Sequence, residues 1–513
     1  MSLTKTVERI LRARVYDVAI ESPLDLAPIL SERMANRLLL KREDLQPVFS
    51  FKLRGAYNRM VNLPSDSLAR GVVAASAGNH AQGVALAAKR LGTRARIVMP
   101  QTTPGIKVEA VRRLGAEAIL VGDAYDDAYQ HAIRIAEEEG VTFIHPYDDL
   151  EVIAGQGTIG MEILRQHPSD IHAVFVPVGG GGLIAGIAAY IKFVRPEIRI
   201  IGVEPDDSDC LARAMKAGRR ITLRQVGLFA DGVAVRQIGK ETFHLAHGLV
   251  DDVVTVSTDE ICAAINDIFD DTRSVAETAG ALGVAGAKKY AETAGITGKT
   301  LISIVSGANI NFSRLRHVAE RAEVGERRER LMAVTIPEQP GSFLSFLKTL
   351  GRRGITEFNY RYFEGDVARV FVGIDGGRED SNQLIQSLER EGYTVLDMSE
   401  NSLAVEHIRY MVGGHAPGLA DEVVYSFEFP ERPGALLTFL SSLEGRWNIS
   451  LFHYRNHGAA YGRVLMGIEV PKPKRREFRQ FLEQTGFVYR EETQNPAYQL
   501  FAGGQLNKKF PSR

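Results

Sequence analysis

The stretch Ser50-Phe51-Lys52-Leu53-Arg54-Gly55-Ala56 sets a lysine directly behind a phenylalanine. A protonated lysine amine has no lone pair to attack with. A carbonyl cofactor such as pyridoxal phosphate resolves this by condensing with the amine to a Schiff base. A single lysine is far more often a solvated surface group, so Lys52 gains meaning only beside other stretches. Ser76-Ala77-Gly78-Asn79-His80 opens a helical pattern, where bare backbone N–H groups suit an anion such as a substrate carboxylate. Asn79 adds an amide donor there, and His80 reads as a helix-start residue rather than a catalyst. Gly179-Gly180-Gly181-Gly182-Leu183 precedes a second helix, and four glycines let backbone N–H groups close on a phosphate. Ser306-Gly307-Ala308-Asn309 offers a hydroxyl that can bond a heteroaromatic nitrogen, the plain alternative being a turn before a helix at Phe312.

The glycine run also fits a different chemistry. Gly180-x-Gly182-x-x-Ala185 matches a dinucleotide fingerprint, and Glu204 falls near the end of the next strand, where a ribose-binding acid would sit. That reading, an NAD-dependent oxidoreductase, leaves Lys52, the Asn79 loop and Ser306 without a task. His244-x-x-His247 and His453-x-x-x-His457 have ligand-like spacing. The first lacks a nearby third ligand and the second lies in a strand-like segment, so no metal is expected. Ala276-Glu277-Thr278-Ala279-Gly280-Ala281 is a small-residue turn into a helix, suited to close approach of a cofactor or to tight helix packing.

Strands and helices must hold these loops. Short apolar runs over 71–75, 95–99, 117–121, 141–144, 173–178, 198–203 and 301–305 read as strands. They alternate with helical patterns over 81–91, 106–114, 125–139 and 183–193. Such alternation implies parallel sheets with helices on both faces, and ligands beyond the carboxyl ends of the strands. The three candidate loops all follow strands of this series.

From about residue 325 the order changes to βαββαβ, and it then recurs. Pro337-Glu338-Gln339-Pro340-Gly341 returns as Pro430-Glu431-Arg432-Pro433-Gly434, and Asn359-Tyr360-Arg361 as His453-Tyr454-Arg455. This is an internal duplication of a ferredoxin-like unit. Ser402–Met411 reads as a helix joining the copies, and Arg327-Arg328-Glu329-Arg330 as a solvated, charged connector.

Composition limits the field. At 513 residues the chain is too long for one core. A net charge of −1 gives no basic field for nucleic acid or anionic lipid. No apolar run is long enough to span a bilayer. Met1–Arg14 lacks an apolar signal core and reads as an amphipathic first helix rather than a transit peptide. Cys210 and Cys262 are the only cysteines, which fits a reducing, cytoplasmic setting.

Taken together these motifs resemble the biosynthetic L-threonine deaminases (threonine ammonia-lyases). The resemblance runs over essentially the whole chain and includes Lys41-Arg42-Glu43-Asp44, the Lys52 and Asn79 stretches, the glycine run, 227–235 and 306–309. It implies an α/β, fold-type-II pyridoxal phosphate enzyme over residues 1–325, with a smaller subdomain at about 50–150. Two ACT-like regulatory subdomains would follow, over 326–400 and 401–513. Lys52 would form the internal aldimine and move protons, Phe51 would pack beside the ring, and Asn79 would bond the ring hydroxyl. Gly179, Gly180, Gly181 and Gly182 would hold the phosphate, and Ser306 the ring nitrogen. The 76–80 loop would bind the substrate. L-threonine, and also L-serine, would be deaminated; serine racemisation on the same fold is the alternative. Isoleucine as inhibitor, valine as its antagonist and a homotetramer are likewise implied. The family often has Pro-Ser after the glutamate where this chain has Thr278-Ala279, so no hydroxyl role is assigned there.

Overall fold

A computed structural model of the chain describes residues 2–122, 124–227, 229–312, 329–361, 366–375, 378–399, 421–430, 435–442, 447–455, 461–485 and 487–495, with isolated residues between and beyond them. The chain divides into two units, Met1–Gly325 and Glu326–Arg513.

The first unit holds two sheets. The larger comprises β1 (Leu24–Leu26), β2 (Arg37–Arg42), β7 (Ala173–Pro177), β8 (Arg199–Pro205), β9 (Asp252–Val256) and β10 (Thr300–Val305). Their order is β1-β2-β10-β7-β8-β9. Only the edge strand β1 runs antiparallel; the other pairs are parallel. The smaller sheet comprises β3 (Val72–Ala75), β4 (Ala95–Met99), β5 (Glu117–Leu120) and β6 (Thr142–Phe143), ordered β5-β4-β3-β6 and all parallel. Every residue of β3 and of β7 is buried, as a strand covered on both faces requires. Each of their valine side chains contributes roughly 1.5–3 kcal/mol by burial. The continuous apolar runs in the sequence have this origin. β2 departs from the pattern: Lys41 and Arg42 follow three leucines and are buried all the same.

The described residues of the second unit form one eight-stranded sheet with helices that include Ser342–Leu350 and Arg475–Thr485. One copy of the repeat supplies β11 (Glu329–Pro337), β12 (Ile355–Arg361), β13 (Val367–Asp375) and β14 (Thr394–Asp397). The other supplies β15 (Glu422–Pro430), β16 (Asn448–Arg455), β17 (Tyr461–Glu469) and β18 (Val488–Glu491). The order β14-β11-β13-β12-β16-β17-β15-β18 joins the copies edge to edge through an antiparallel β12–β16 pair. Asn359 pairs with His453, its equivalent in the repeat, so a local pseudo-twofold passes between them. The joined edges leave neither central strand exposed as a template for foreign strands, and one apolar cluster, including Phe346, Phe358, Phe427 and Phe452, spans both copies.

Of the charged run at 327–330 expected as a solvated connector, Arg327 and Arg328 lie outside the described residues. Glu329 and Arg330 already belong to β11, with Glu329 buried and Arg330 paired to Asp397 at 2.5 Å. The joining helix expected at 402–411 lies outside the described residues. No helix among the described residues is long and apolar enough to cross a membrane, and none of their His, Cys, Asp and Glu side chains cluster as a metal site would require.

Candidate active site

Three loops that carry candidate residues leave the carboxyl ends of three strands. Ser306 follows β10, Gly179 follows its neighbour β7, and Ser76 follows β3 of the smaller sheet. The segment carrying Lys52 is laced to the first of these. Phe51 N donates to Ser306 O at 3.3 Å, Ala308 N to Phe49 O at 2.9 Å, and Ser50 bridges Gly307. Phe49 holds φ = +56°, a left-handed conformation for a non-glycine residue, fixed by those bonds at the entrance to the helix Lys52–Val61.

Lys52 Nζ donates to Pro146 O at 3.2 Å and stands 5.3 Å from the Phe51 ring centroid. Burial lowers its pKa from 10.5 to about 8, against the opposing pull of the Glu277 carboxylate. An amine in this condition is a usable nucleophile and proton carrier near neutrality.

The glycine run forms a bare turn before the helix Gly182–Val194. Gly181 adopts φ = +91°, which side-chain-bearing residues avoid. A Cβ on Gly180 would lie 2.2 Å from the Tyr147 ring, so only glycine fits beneath that tyrosine. Thr242 Oγ1 fixes the turn from behind by donating to Gly180 O at 2.8 Å.

Asn79 starts the helix Asn79–Leu91. Its Nδ2 donates to Glu277 Oε1 at 2.5 Å, and its Oδ1 accepts from Asn309 Nδ2 at 2.7 Å. Ser76 Oγ accepts from Gly78 N at 3.2 Å, shaping the loop that also contains Ala77. His80 is buried; its Nε2 meets Ile144 O at 2.9 Å, and burial together with the Lys52 charge pushes its pKa down to about 3. A neutral, committed imidazole of this kind holds the helix start and is no acid catalyst. Ser306 Oγ is buried and donates to Ala279 O at a long 3.3 Å, a bond that a better acceptor would displace.

The dinucleotide reading does not survive the geometry. Glu204 Oε1 accepts from Leu211 N at 2.8 Å and Oε2 from Ala212 N at 2.9 Å, so its carboxyl holds the start of the helix Cys210–Ala217. Fully buried and with its pKa raised to about 7 by that burial, it presents nothing to a ribose. The Thr278 hydroxyl, left without a role, donates to Phe229 O at 3.0 Å.

Sequence reasoning gave no role to Arg54, although it lies in the Lys52 motif. Its guanidinium bonds Glu43 through Nε and Nη2, both at 2.8 Å, and Glu162 through Nη1 at 2.6 Å. Lys41 Nζ closes the cluster on Glu162 at 2.6 Å and Ser22 O at 2.6 Å. All four charged side chains are fully buried, and together they anchor the helix that begins at Lys52. The available signal was a Lys41-Arg42-Glu43-Asp44 run ending an apolar strand, where exposed charges would be out of place.

Residues 16–307 match the family model of pyridoxal-phosphate-dependent enzymes, and residues 320–408 and 413–502 match the C-terminal regulatory domain of threonine dehydratase. The chain is 57% identical to the biosynthetic L-threonine dehydratase IlvA of Burkholderia multivorans over 96% of this chain and 98% of that protein. It is 51% identical to the Escherichia coli IlvA over 96% of each. The chain belongs to the biosynthetic threonine dehydratase family. Among solved structures, the processed form of threonine deaminase isoform 2 from Solanum lycopersicum is similar at 52% identity and TM-score 0.61, covering 62% of this chain and 93% of that one. Maize serine racemase is similar at 33% identity and TM-score 0.57, covering 62% of this chain and 95% of its own. The family's cofactor is pyridoxal phosphate, and the residues fit it. Lys52 offers a buried amine with its pKa near 8, the 179–182 turn carries no side chains and opens the helix Gly182–Val194 with no side-chain cap, and the Ser306 hydroxyl is held only by a long bond.

Proposed function

We propose that the protein deaminates L-threonine to 2-oxobutanoate and ammonia, the committed step toward isoleucine, and that its C-terminal unit senses the end product. The observation that carries the reading is the Lys52 amine, buried, lowered in pKa and bonded to Pro146 O next to the Tyr147 that covers the glycine turn.

When bound, pyridoxal phosphate supplies an electron-withdrawing ring that acidifies the Cα–H of an amino acid. The remaining work falls to the chain. Lys52 anchors the cofactor and then moves the Cα proton. The 179–182 N–H groups and the positive end of the helix Gly182–Val194 hold the phosphate. Asn79 would orient the ring hydroxyl, Phe51 would pack beside the ring, and the 76–80 loop would bind the substrate carboxylate. Ser306 takes the ring nitrogen. A hydroxyl there would not keep that nitrogen protonated as a carboxylate would, which would suit loss of the β-hydroxyl. L-Serine reacts as well, since one methyl in an apolar pocket discriminates by about 1–3 kcal/mol.

In the second unit, a cleft brings Pro340, Gly341 and Phe343 of one repeat against Leu440, Trp447 and Ile449 of the other. The helix Ser342–Leu350 starts at its edge with no side-chain cap. Trp447 is buried, and its Nε1 has no hydrogen-bond partner among the described residues. An amino-acid carboxylate suits these donors, and a branched apolar side chain suits the walls. On this reading isoleucine is the inhibitor and valine opposes it, in a cytoplasmic homotetramer.

Incubation with L-threonine should release 2-oxobutanoate, with half-saturation moved upward by isoleucine. Formation of D-serine from L-serine without keto acid would establish the racemase instead. Light scattering tests the tetramer.

A further inference from the structure

A chain of polar groups crosses the cleft beside Lys52, and Glu277 is its centre. Glu277 occupies the N-cap position of the helix Thr278–Ala294, yet its side chain makes no capping bond. The carboxyl turns to the smaller-sheet side and accepts from Asn79 Nδ2 at 2.5 Å. Its own backbone N–H donates to Gly307 O at 3.0 Å. A Cβ on Gly307 would stand 2.5 Å from Oε1, so the carboxyl is packed against the turn that follows β10. Asn79 is gripped at its other end by Asn309, which also donates to Val48 O at 2.9 Å.

On the outer side stand two charges. Lys107, on the helix Gly105–Arg113 beside the smaller sheet, donates to Asp231 Oδ2 at 2.7 Å. Asp231 disfavours a charge on Glu277, while Lys107, the Asn79 amide and the Asn309 backbone N–H favour it. Lys52 is the remaining charge facing it. Burial dominates, and the carboxyl titrates near 7 rather than 4.5. An ionised carboxylate holds an amide donor about twice as strongly as a neutral oxygen does. The second Nδ2 hydrogen of Asn79, the one available to a cofactor, is aimed by this grip.

We propose that Glu277 is a positioning residue for Asn79, and that the Lys107–Asp231 pair sets how firmly Glu277 holds it. The proposal rests on the pyridoxal phosphate reading above.

The test is the pH dependence of pyridoxal phosphate affinity, by absorbance titration of the apo-protein, and of kcat/KM for L-threonine. Wild type is compared with Glu277→Gln, Asp231→Asn and Lys107→Met. Affinity and kcat/KM should fall together below about pH 7 in the wild type. Asp231→Asn should move that limb to lower pH and Lys107→Met to higher pH, each by roughly one unit, as a neighbouring charge does. Glu277→Gln, which keeps an acceptor for Asn79 but cannot titrate, should lose the limb near pH 7 and keep only the decline near pH 8 that Lys52 itself sets. A merely structural role would not shift two charge variants in opposite directions. Shifts in the same direction, no shift, or the limb near pH 7 retained in Glu277→Gln would overturn the proposal while leaving deamination intact. A wild type that neither binds the cofactor nor releases keto acid would instead overturn the underlying function.

Discussion

Arg54 Nη1 donates to Glu162 Oε1 at 2.6 Å, with neither side chain exposed to solvent. The same guanidinium serves Glu43, and Lys41 serves Glu162, so two cations balance two anions in a dry site. Removing one member of such a set leaves an uncompensated buried charge, at a cost of about 3–5 kcal/mol. Arg54→Met should therefore lower the urea midpoint sharply. Because Arg54 sits two residues after Lys52 on the same helix, activity should fall beyond the loss of folded protein. A variant as stable as wild type would show that the cluster does not anchor this helix.

Much of this arrangement was legible beforehand. Apolar runs at β3, β7 and β10 marked buried parallel strands, and the loops after them were therefore the place to look for Asn79, Gly179–Gly182 and Ser306. The repeat marked the second unit. What stayed hidden depends on contacts distant in the chain. Glu277 is 198 residues from its partner Asn79, and Arg54 is 108 from Glu162. No local period encodes such pairs. Glu204 was ambiguous because a strand-end acid reads the same whether it faces a ribose or the start of a helix. The repeat also gave no hint that its copies would share a sheet, since edge pairing through Asn359 and His453 leaves no periodic mark.

The lowered pKa of Lys52 has a kinetic consequence. With the folded value near 8, about a tenth of the amine is neutral at pH 7, against well under a thousandth for an ordinary lysine. Capture of pyridoxal phosphate by the apo-protein should accelerate as pH rises and level off above about 8. The fold binds this proton more weakly than the unfolded chain does. Its stability contribution is thus present above the unfolded value of 10.5 and lost as pH falls to about 8, with no further loss below. Stopped-flow absorbance across pH 6–10 checks the first point. A rate still climbing steeply at pH 10 would mean an unperturbed lysine.

The regulatory reading predicts a specific loss. Trp447→Phe keeps a ring against Phe478, which it now meets edge-on at 5.1 Å, but removes the indole N–H. One hydrogen bond contributes about 0.5–1.5 kcal/mol. The isoleucine concentration for half-inhibition should rise roughly 2- to 13-fold, with turnover in its absence unchanged. Unaltered inhibition would exclude Trp447 from the effector site.

The central claim is that Lys52 carries the chemistry. The most direct measurement compares wild type with Lys52→Ala, in the presence of pyridoxal phosphate, for the absorbance band at roughly 410–420 nm expected of lysine-bound cofactor and for keto-acid release from L-threonine. The account predicts both signals in the wild type and neither in the variant, with the circular dichroism of the two proteins alike. Near-normal keto-acid release by folded Lys52→Ala would contradict it.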